Sequence, residues 1–160
     1  MFDIGQHAAG HHSQEFLIET HQPNENKTMT MNRKIAKRPH QIVECVAEFI
    51  KDGDLEGVVS MFHPDVRVAM DPAGPPVRGH DGVREIFKDF VANRVNLKGT
   101  VSGEMINGDT AILQGEWTIE DDDGNTLMGG VSTEVAKQLD HGGWVYFIDC
   151  PISVPIPVRD

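Results

Sequence analysis

The stretch that most constrains the fold is residues 66–90, which reads VRVAMDPAGPPVRGHDGVREIFKDF. Val66, Val68 and Met70 alternate with Arg67 and Ala69, which is the period of a half-buried strand. The Asp-Pro and Gly-Pro-Pro steps that follow end regular pairing, because proline has no N–H to donate and glycine tolerates turn dihedrals. The stretch therefore predicts a strand that ends in a tight loop.

After this loop the sequence predicts a helix that begins near Asp81, its expected N-cap, and buries Val83, Ile86, Phe87 and Phe90 at helical spacing. Asp71 lies where the strand gives way to the loop. A carboxylate placed there, facing a helix rich in phenylalanine, can serve as a catalytic base or can organise its own Asp-Pro turn. Both interpretations stay open.

The remaining elements predict an α+β fold. Residues 39–51 and a shorter segment from Leu55 read as helices, and the second has Asp54 as its N-cap. Four long strands follow, separated by turn-forming runs, at residues 95–106, 110–120, 126–139 and 144–154. Helices followed by hairpin-linked strands favour a cone-shaped, curved antiparallel sheet, with three N-terminal helices on one side enclosing a pocket.

Composition excludes several classes of function. The chain has 160 residues, of which 39% are hydrophobic, and this suits one globular domain with a real core. The formal charge of −11 argues against binding to nucleic acid or to an anionic membrane. No apolar run is long enough to cross a bilayer. Cys45 and Cys150 form no disulfide framework or metal motif, which favours a cytoplasmic location.

Residues 1–35 differ from the rest of the chain. They are rich in His, Gln, Asn and Thr and carry one short apolar patch, so they bury too little surface to offset their ordering entropy. We expect a flexible N-terminal arm over residues 1–35 and a single domain over residues 36–160. The histidines of the arm lack cysteine or carboxylate partners at ligand spacing, so no metal site is predicted.

Several runs resemble a known family. The runs GDLEGVVSMF (53–62), DPAG (71–74), RG (78–79) and VREIF (83–87) resemble the ketosteroid isomerase and SnoaL-like branch of the nuclear-transport-factor-2-like (NTF2-like) superfamily. The runs STEV (132–135) and GWVYFIDCP (143–151) are similar to uncharacterised bacterial members of that superfamily. The resemblance covers roughly residues 39–153 and implies a cystatin-like α+β roll, no cofactor, and a homodimer through the open face of the sheet.

The resemblance also implies roles for particular positions. By its Asp-Pro-x-Gly context, Asp71 matches the family's catalytic base, provided that one extra residue is accommodated before it. Without a bulge, strand alternation directs Met70 to the pocket and turns Asp71 away. Val46 occupies the position of the family's tyrosine, and Glu134 is the only acid near the position of its protonated aspartate. A steroid-type isomerase would therefore lack its oxyanion hole.

We predict a pocket lined by a mixed set of apolar, aromatic and acidic residues. They are Val46, Phe62, Met70, Phe87, Leu113, Trp117, Glu134, Tyr146 and Asp149. Each polar or aromatic member has a structural alternative. Asp149 can simply end a strand, Glu134 can lie on an exposed sheet face, and Trp117 can fill the core.

Three functions fit this pattern. The first is a homodimeric domain that binds a small, mostly apolar or amphipathic molecule without a cofactor. The second is a cofactor-independent isomerase or lyase that uses Asp71 as its general acid/base. The third is a protein-association module, which a hollow filled solid by Trp117 and its neighbours would support. The environment of Asp71 separates the first two.

Overall fold

The computed structural model describes residues 33–71 and 73–153. Its helices are a 3₁₀ turn at Pro39–Gln41, α1 at Ile42–Asp52, α2 at Leu55–Ser60 and α3 at Gly79–Ala92. Its strands are β1 at Phe62–Val68, β2 at Val77–Arg78, β3 at Asn96–Asn107, β4 at Thr110–Glu120, β5 at Thr126–Gln138 and β6 at Trp144–Cys150. Apart from residues 33–35, the predicted flexible arm lies outside the described residues.

The strands form one curved six-stranded sheet in the order β2-β1-β6-β5-β4-β3. The predicted α+β class with three helices is confirmed. The sheet is mixed rather than wholly antiparallel, because β1 pairs with β6 in the parallel sense. A parallel neighbour needs a long connection, and the chain between β1 and β6 supplies one. Hairpin signals between successive strands carry no information about this pairing.

Helix α1 ends, and helix α2 begins, close to where the sequence predicts. Gly53 adopts a left-handed conformation, with φ of 76°, and closes α1. The next residue, Asp54, caps α2, because its Oδ1 accepts a hydrogen bond of 2.8 Å from the backbone N–H of Gly57. Helix α2 ends at Ser60, and Phe62 is already the first residue of β1.

Helix α3 begins earlier than predicted. Its first residue is Gly79, and Arg78 occupies the N-cap position. Asp81 lies in the first turn, where its Oδ1 accepts a hydrogen bond of 2.7 Å from Nη1 of Arg84. The negative charge of Asp81 in the first turn therefore interacts favourably with the positive, N-terminal end of the helix dipole.

The helices pack against one face of the sheet, which we call the inner face. Ile42, Val46, Phe49 and Ile50 of α1 share a single buried cluster with the inner face of the sheet. The sheet contributes to this cluster Phe62, Val66, Val68, Ala111, Leu113, Ala136, Trp144 and Tyr146.

Two glycines on the inner face permit close packing. A Cβ on Gly99 would collide with the side chain of Val43, so this glycine lets α1 approach β3. A Cβ on Gly115 would lie 2.5 Å from the backbone oxygen of Thr100 on the neighbouring strand. Backbone cannot move aside as a flexible side chain can, so the contact at Gly115 is the stricter one.

Replacement of Gly115 by alanine is therefore expected to destabilise the fold. The variant Gly115→Ala should lose about 1–3 kcal/mol of unfolding free energy in urea titrations, because β3 and β4 must separate. The matched control is Gly103→Ala, whose Cβ would lie 3.4 Å from the movable Oε1 of Gln114. The control should stay within about 0.5 kcal/mol of the parent. Equal losses in both variants would contradict this account of β3–β4 packing.

Candidate functional site

A cavity of about 110 Å³ lies between the helices and the inner face of the sheet. Helix α1 contributes Val46 and Ile50 to its wall, and helix α3 contributes Ile86, Phe87 and Phe90. Most of the remaining wall is apolar and comes from the strands and the residues that directly follow them. It includes Phe62, Val68, Met70, Leu97, Val101, Trp117, Ile119, Met128 and Pro151.

Aromatic rings make up one side of the cavity. The Phe62 ring centre lies 5.5 Å from that of Phe87 and 5.5 Å from that of Tyr146, in tilted arrangements that aromatic pairs favour. Trp117 is held differently, because its Nε1–H donates a hydrogen bond of 2.7 Å to the backbone oxygen of Pro151. This bond fixes the indole at the wall, and the cavity beside it stays open.

Two acids face each other across neighbouring strands at the cavity wall. Glu134 on β5 pairs with Asp149 on β6, and both line the cavity. Directly opposed residues of an antiparallel pair have Cβ atoms about 4.5–5.5 Å apart. Only 8% of Glu134 and 9% of Asp149 is exposed. We call these two residues the acidic pair.

A β-bulge brings Tyr146 to the same cavity. Tyr146 and Asp149 are three positions apart, so strict alternation would place them on opposite faces of β6. The register shifts between the Val135–Ile148 and Ala136–Tyr146 pairs, however, and the extra residue on β6 is Phe147. Both Tyr146 and Asp149 consequently line the cavity.

Burial and mutual repulsion govern the charge of the acidic pair. Burial, with a further contribution from the negative charge of Glu134, raises the pKa of Asp149 to about 7. Burial also raises the pKa of Glu134, and a hydrogen bond with Ser132 offsets part of that rise. The pKa of the Tyr146 phenol is raised well above its usual value by burial and by both acids. The pair therefore gains and loses a proton near neutrality.

Asp71 lies outside the cavity wall. It is exposed, and its Oδ1 accepts a hydrogen bond of 2.9 Å from the backbone N–H of Ala73. Its backbone oxygen accepts a second bond, of 3.0 Å, from the N–H of Gly74. Met70, one residue earlier, lines the cavity instead. Asp71 thus makes the hydrogen bond of an Asx-turn, and its side chain does not line the cavity where a catalytic base would act.

The structure places eight of the nine predicted pocket residues on the cavity wall. They are Val46, Phe62, Met70, Phe87, Trp117, Glu134, Tyr146 and Asp149. The ninth, Leu113, is fully buried in the core and does not reach the cavity. Sequence reasoning missed Ser132, which lies two residues before Glu134 on β5 and therefore shares its face. Strand alternation was the signal that could have found it.

The polar part of the cavity is acidic. Within the described part of the chain, no lysine, arginine or histidine lines the cavity. Among residues 33–71 and 73–153, no group of three or more His, Cys, Asp or Glu side chains is arranged to hold a metal ion. No described helix is long and apolar enough to span a membrane. The carboxyl and phenol groups can donate or accept hydrogen bonds, and near neutral pH the acidic pair can exchange a proton with a bound molecule.

Comparisons with solved structures find the same fold at low sequence identity. An NTF-2-like protein of unknown function from Shewanella oneidensis MR-1 is 20% identical, with a TM-score of 0.56, over 69% of this chain and 92% of that one. A domain of unknown function with a cystatin-like fold from Nostoc punctiforme is 14% identical, with a TM-score of 0.57, over 72% and 75%.

A third structure carries a ligand. It is the protein RV0760c from Mycobacterium tuberculosis in complex with estradiol-17beta-hemisuccinate. It is 16% identical, with a TM-score of 0.50, over 70% of this chain and 91% of that one.

A comparison with curated proteins finds no match. The profile of the SnoaL-like domain family matches residues 43–142, which include α1, α2, α3 and strands β1–β5. This match spans more than half of the chain and agrees with the fold that the solved structures share. The chain belongs to the SnoaL-like domain family and has an NTF2-like fold.

Proposed function

We propose that this protein binds a small, mostly apolar molecule in the cavity between its helices and its sheet. The observation that carries the proposal is an open hollow with apolar and aromatic walls and a few polar groups that meet at one side. Such a combination is typical of small-molecule sites, where apolar surface supplies affinity and a few polar atoms fix orientation.

The ligand of RV0760c supports the class of molecule. Estradiol-17beta-hemisuccinate has a largely apolar ring system, and it is bound by a protein that shares this fold. The cavity here has a volume of about 110 Å³, so we propose a compact ligand. Trp117, which is held at the wall by Pro151, leaves room for it. An open cavity favours ligand binding over the association-module alternative.

A cofactor-independent isomerase or lyase is the second candidate. The observation in its favour is the pKa of about 7 for Asp149, since a general acid/base works best when its pKa lies near the working pH. Glu134 and Tyr146 lie beside Asp149 and could hold the substrate atom that gains or loses the proton. In this proposal Asp149 takes the role that the sequence suggested for Asp71.

We also propose a homodimer through the outer face of the sheet, opposite the helices. Met105, Ile112, Val135 and Ile148 pair in sequence across β3, β4, β5 and β6, and we call them the outer row. Three of the four are exposed large apolar residues. Val145 of β6 is buried, and the bulge brings Ile148 to the outer face. A continuous apolar row on an unpartnered sheet face favours self-association.

Filling the cavity is expected to abolish ligand binding. The variant Val46→Phe adds a ring to the cavity wall and should remove calorimetric binding of cyclohexanol, used as a neutral apolar test ligand. The matched control Leu127→Phe adds the same ring at an exposed position and should leave binding unchanged. Circular dichroism checks that both variants are folded. Undiminished binding to a folded Val46→Phe variant would contradict the proposed site.

The acidic pair is expected to make stability fall as the pH rises. Between the usual pKa of aspartate, 3.8, and its folded value of about 7, folded Asp149 keeps a proton that the unfolded chain releases. Unfolding free energy should therefore decrease from about pH 4 to about pH 7. Glu134 contributes in the same direction, because its folded pKa is also raised.

The variant Asp149→Asn removes most of this decrease. It should match the parent near pH 4 and exceed it at pH 8, by at most about 4 kcal/mol for a shift of about three pH units. Urea titrations across this range provide the measurement. Two results together would contradict a buried, protonated Asp149. The stability of the parent would stay flat or rise between pH 4 and pH 7, and the variant would be equally stable throughout.

Charging the outer row is expected to dissociate the dimer. Sedimentation equilibrium of the parent at micromolar concentration should give twice the monomer mass, and Ile112→Lys should give the monomer mass because a buried ammonium without a partner is costly. The control Leu127→Lys changes an exposed residue on β5 that lies about 25 Å along the strand from Val135. It should remain a dimer. A monomeric parent would refute the proposed interface.

A further inference from the structure

The polar side of the cavity carries negative charge and no positive charge. The acidic pair, Glu134 and Asp149, lines it together with Tyr146 and Ser132. No basic side chain of the described residues lines the cavity. A buried carboxylate is costly without a counter-charge, so the cavity favours a ligand that brings a positive charge.

Asp149 is the acid that most clearly lacks a partner. Its side chain is more than nine-tenths buried and lines the cavity. No hydrogen-bond donor among the described residues reaches its carboxyl oxygens. A carboxyl that is buried, faces a cavity and has no partner in the surrounding protein is suited to a ligand that donates hydrogen bonds.

We propose, on the basis of the binding function proposed above, that the ligand is a compact apolar amine whose ammonium group sits between Glu134 and Asp149. An ammonium has three donors and no acceptor, which matches two acceptor-rich carboxylates and the phenolic oxygen of Tyr146. Charge-assisted hydrogen bonds of this kind are stronger than neutral ones. The amine thus supplies both the counter-charge and the donors that the protein lacks at this point.

The walls of the cavity suit the rest of such a molecule. The rings of Phe62, Phe87 and Tyr146 line the cavity, and aromatic rings can add cation–π attraction for a bound ammonium. Farther from the acidic pair, α1 and α3 offer only aliphatic and phenyl surface, from Val46, Ile86 and their neighbours. An anionic ligand has the opposite requirement and is disfavoured, since it would meet two acids and no cation.

The pH dependence separates an amine from a neutral ligand. An ammonium binds the ionised pair, so its affinity should rise as Asp149, with a pKa of about 7, loses its proton. A ketone or alcohol that accepts a hydrogen bond from the protonated pair should lose affinity over the same range. The titratable groups that interact with Asp149 are Glu134 on β5 and Tyr146 and Cys150 on β6, and Cys45 of α1 interacts with Tyr146. Helix α3 and strand β1 contribute only apolar side chains to the cavity.

The test compares three ligands that share one ring and differ in charge. They are cyclohexylamine, cyclohexanol and cyclohexanecarboxylate, titrated calorimetrically into the full chain at pH 6 and pH 8. At pH 8 the amine should bind about tenfold or more tightly than the alcohol, because hydrogen bonds to charged groups are worth more than neutral ones. The carboxylate should bind most weakly. The affinity of the amine should rise about tenfold from pH 6 to pH 8, since an alkylammonium stays charged in this range.

Two variants assign the preference to the acidic pair. Both Asp149→Asn and Glu134→Gln should reduce the advantage of the amine over the alcohol, and Asp149→Asn should also remove its pH dependence. The control Asp71→Asn changes an exposed acid outside the cavity and should keep the full preference. The comparison of the three ligands with the unaltered protein needs no variant, so it is decisive even if a variant fails to fold.

Each outcome has a distinct meaning. Equal or tighter binding of the alcohol at pH 8 would overturn the amine proposal and leave the proposed binding function intact. Binding of the amine that Val46→Phe does not diminish would place it outside the cavity and would also overturn the proposal. If none of the three ligands binds, both the amine proposal and the binding function for compact apolar molecules are wrong.

Discussion

Packing of the helices on a curved sheet is the constraint on which the rest of the structure depends. Helix α1 approaches β3 closely only because Gly99 presents no side chain to Val43. Strands β3 and β4 in turn pair closely at Gly115. Where the sheet curves away from α1 and α3, the side chains no longer meet, and the cavity is the space that remains. The site is thus a consequence of the same packing that forms the core.

Placing acids at the wall of this space changes their chemistry. In water the carboxyls of Glu134 and Asp149 would be ionised at pH 7. In an apolar hollow, ionising both is opposed by lost solvation and by mutual repulsion, so the acidic pair keeps a proton close to neutral pH. Burying the acidic pair therefore lowers the stability of the fold. Polar groups that oppose stability in this way are commonly retained for function.

Much of this arrangement could be predicted from sequence. The alternation of strands, the caps at Gly53 and Asp54, and the resemblance of residues 53–87 to a known family together identify the fold. The same signals place most of the cavity wall, because apolar residues with strand or helix periodicity face the core. Glu134 is singled out by the resemblance, as the only acid near the position of the family's protonated aspartate.

The sequence is least informative where local pattern does not determine geometry. Strict alternation on β6 would put Ile148 rather than Asp149 on the face of Tyr146, but the bulge at Phe147 moves Ile148 outward and Asp149 inward. An extra residue in one strand leaves no mark in the sequence of that strand. Asp71 matches a motif, which leaves its base and turn roles open; in the structure its carboxyl accepts a hydrogen bond within its own turn. Met70, one step earlier, lines the cavity, because successive side chains of a strand point in opposite directions.

The most direct test of the account is the titration of the Asp149 carboxyl, followed by carbon-13 NMR with labelled aspartate. The account predicts one aspartate resonance with a midpoint of about 7, and this resonance should be missing from the spectrum of Asp149→Asn. If every aspartate titrates near 4, Asp149 is solvated rather than buried at an apolar cavity wall, which contradicts the account.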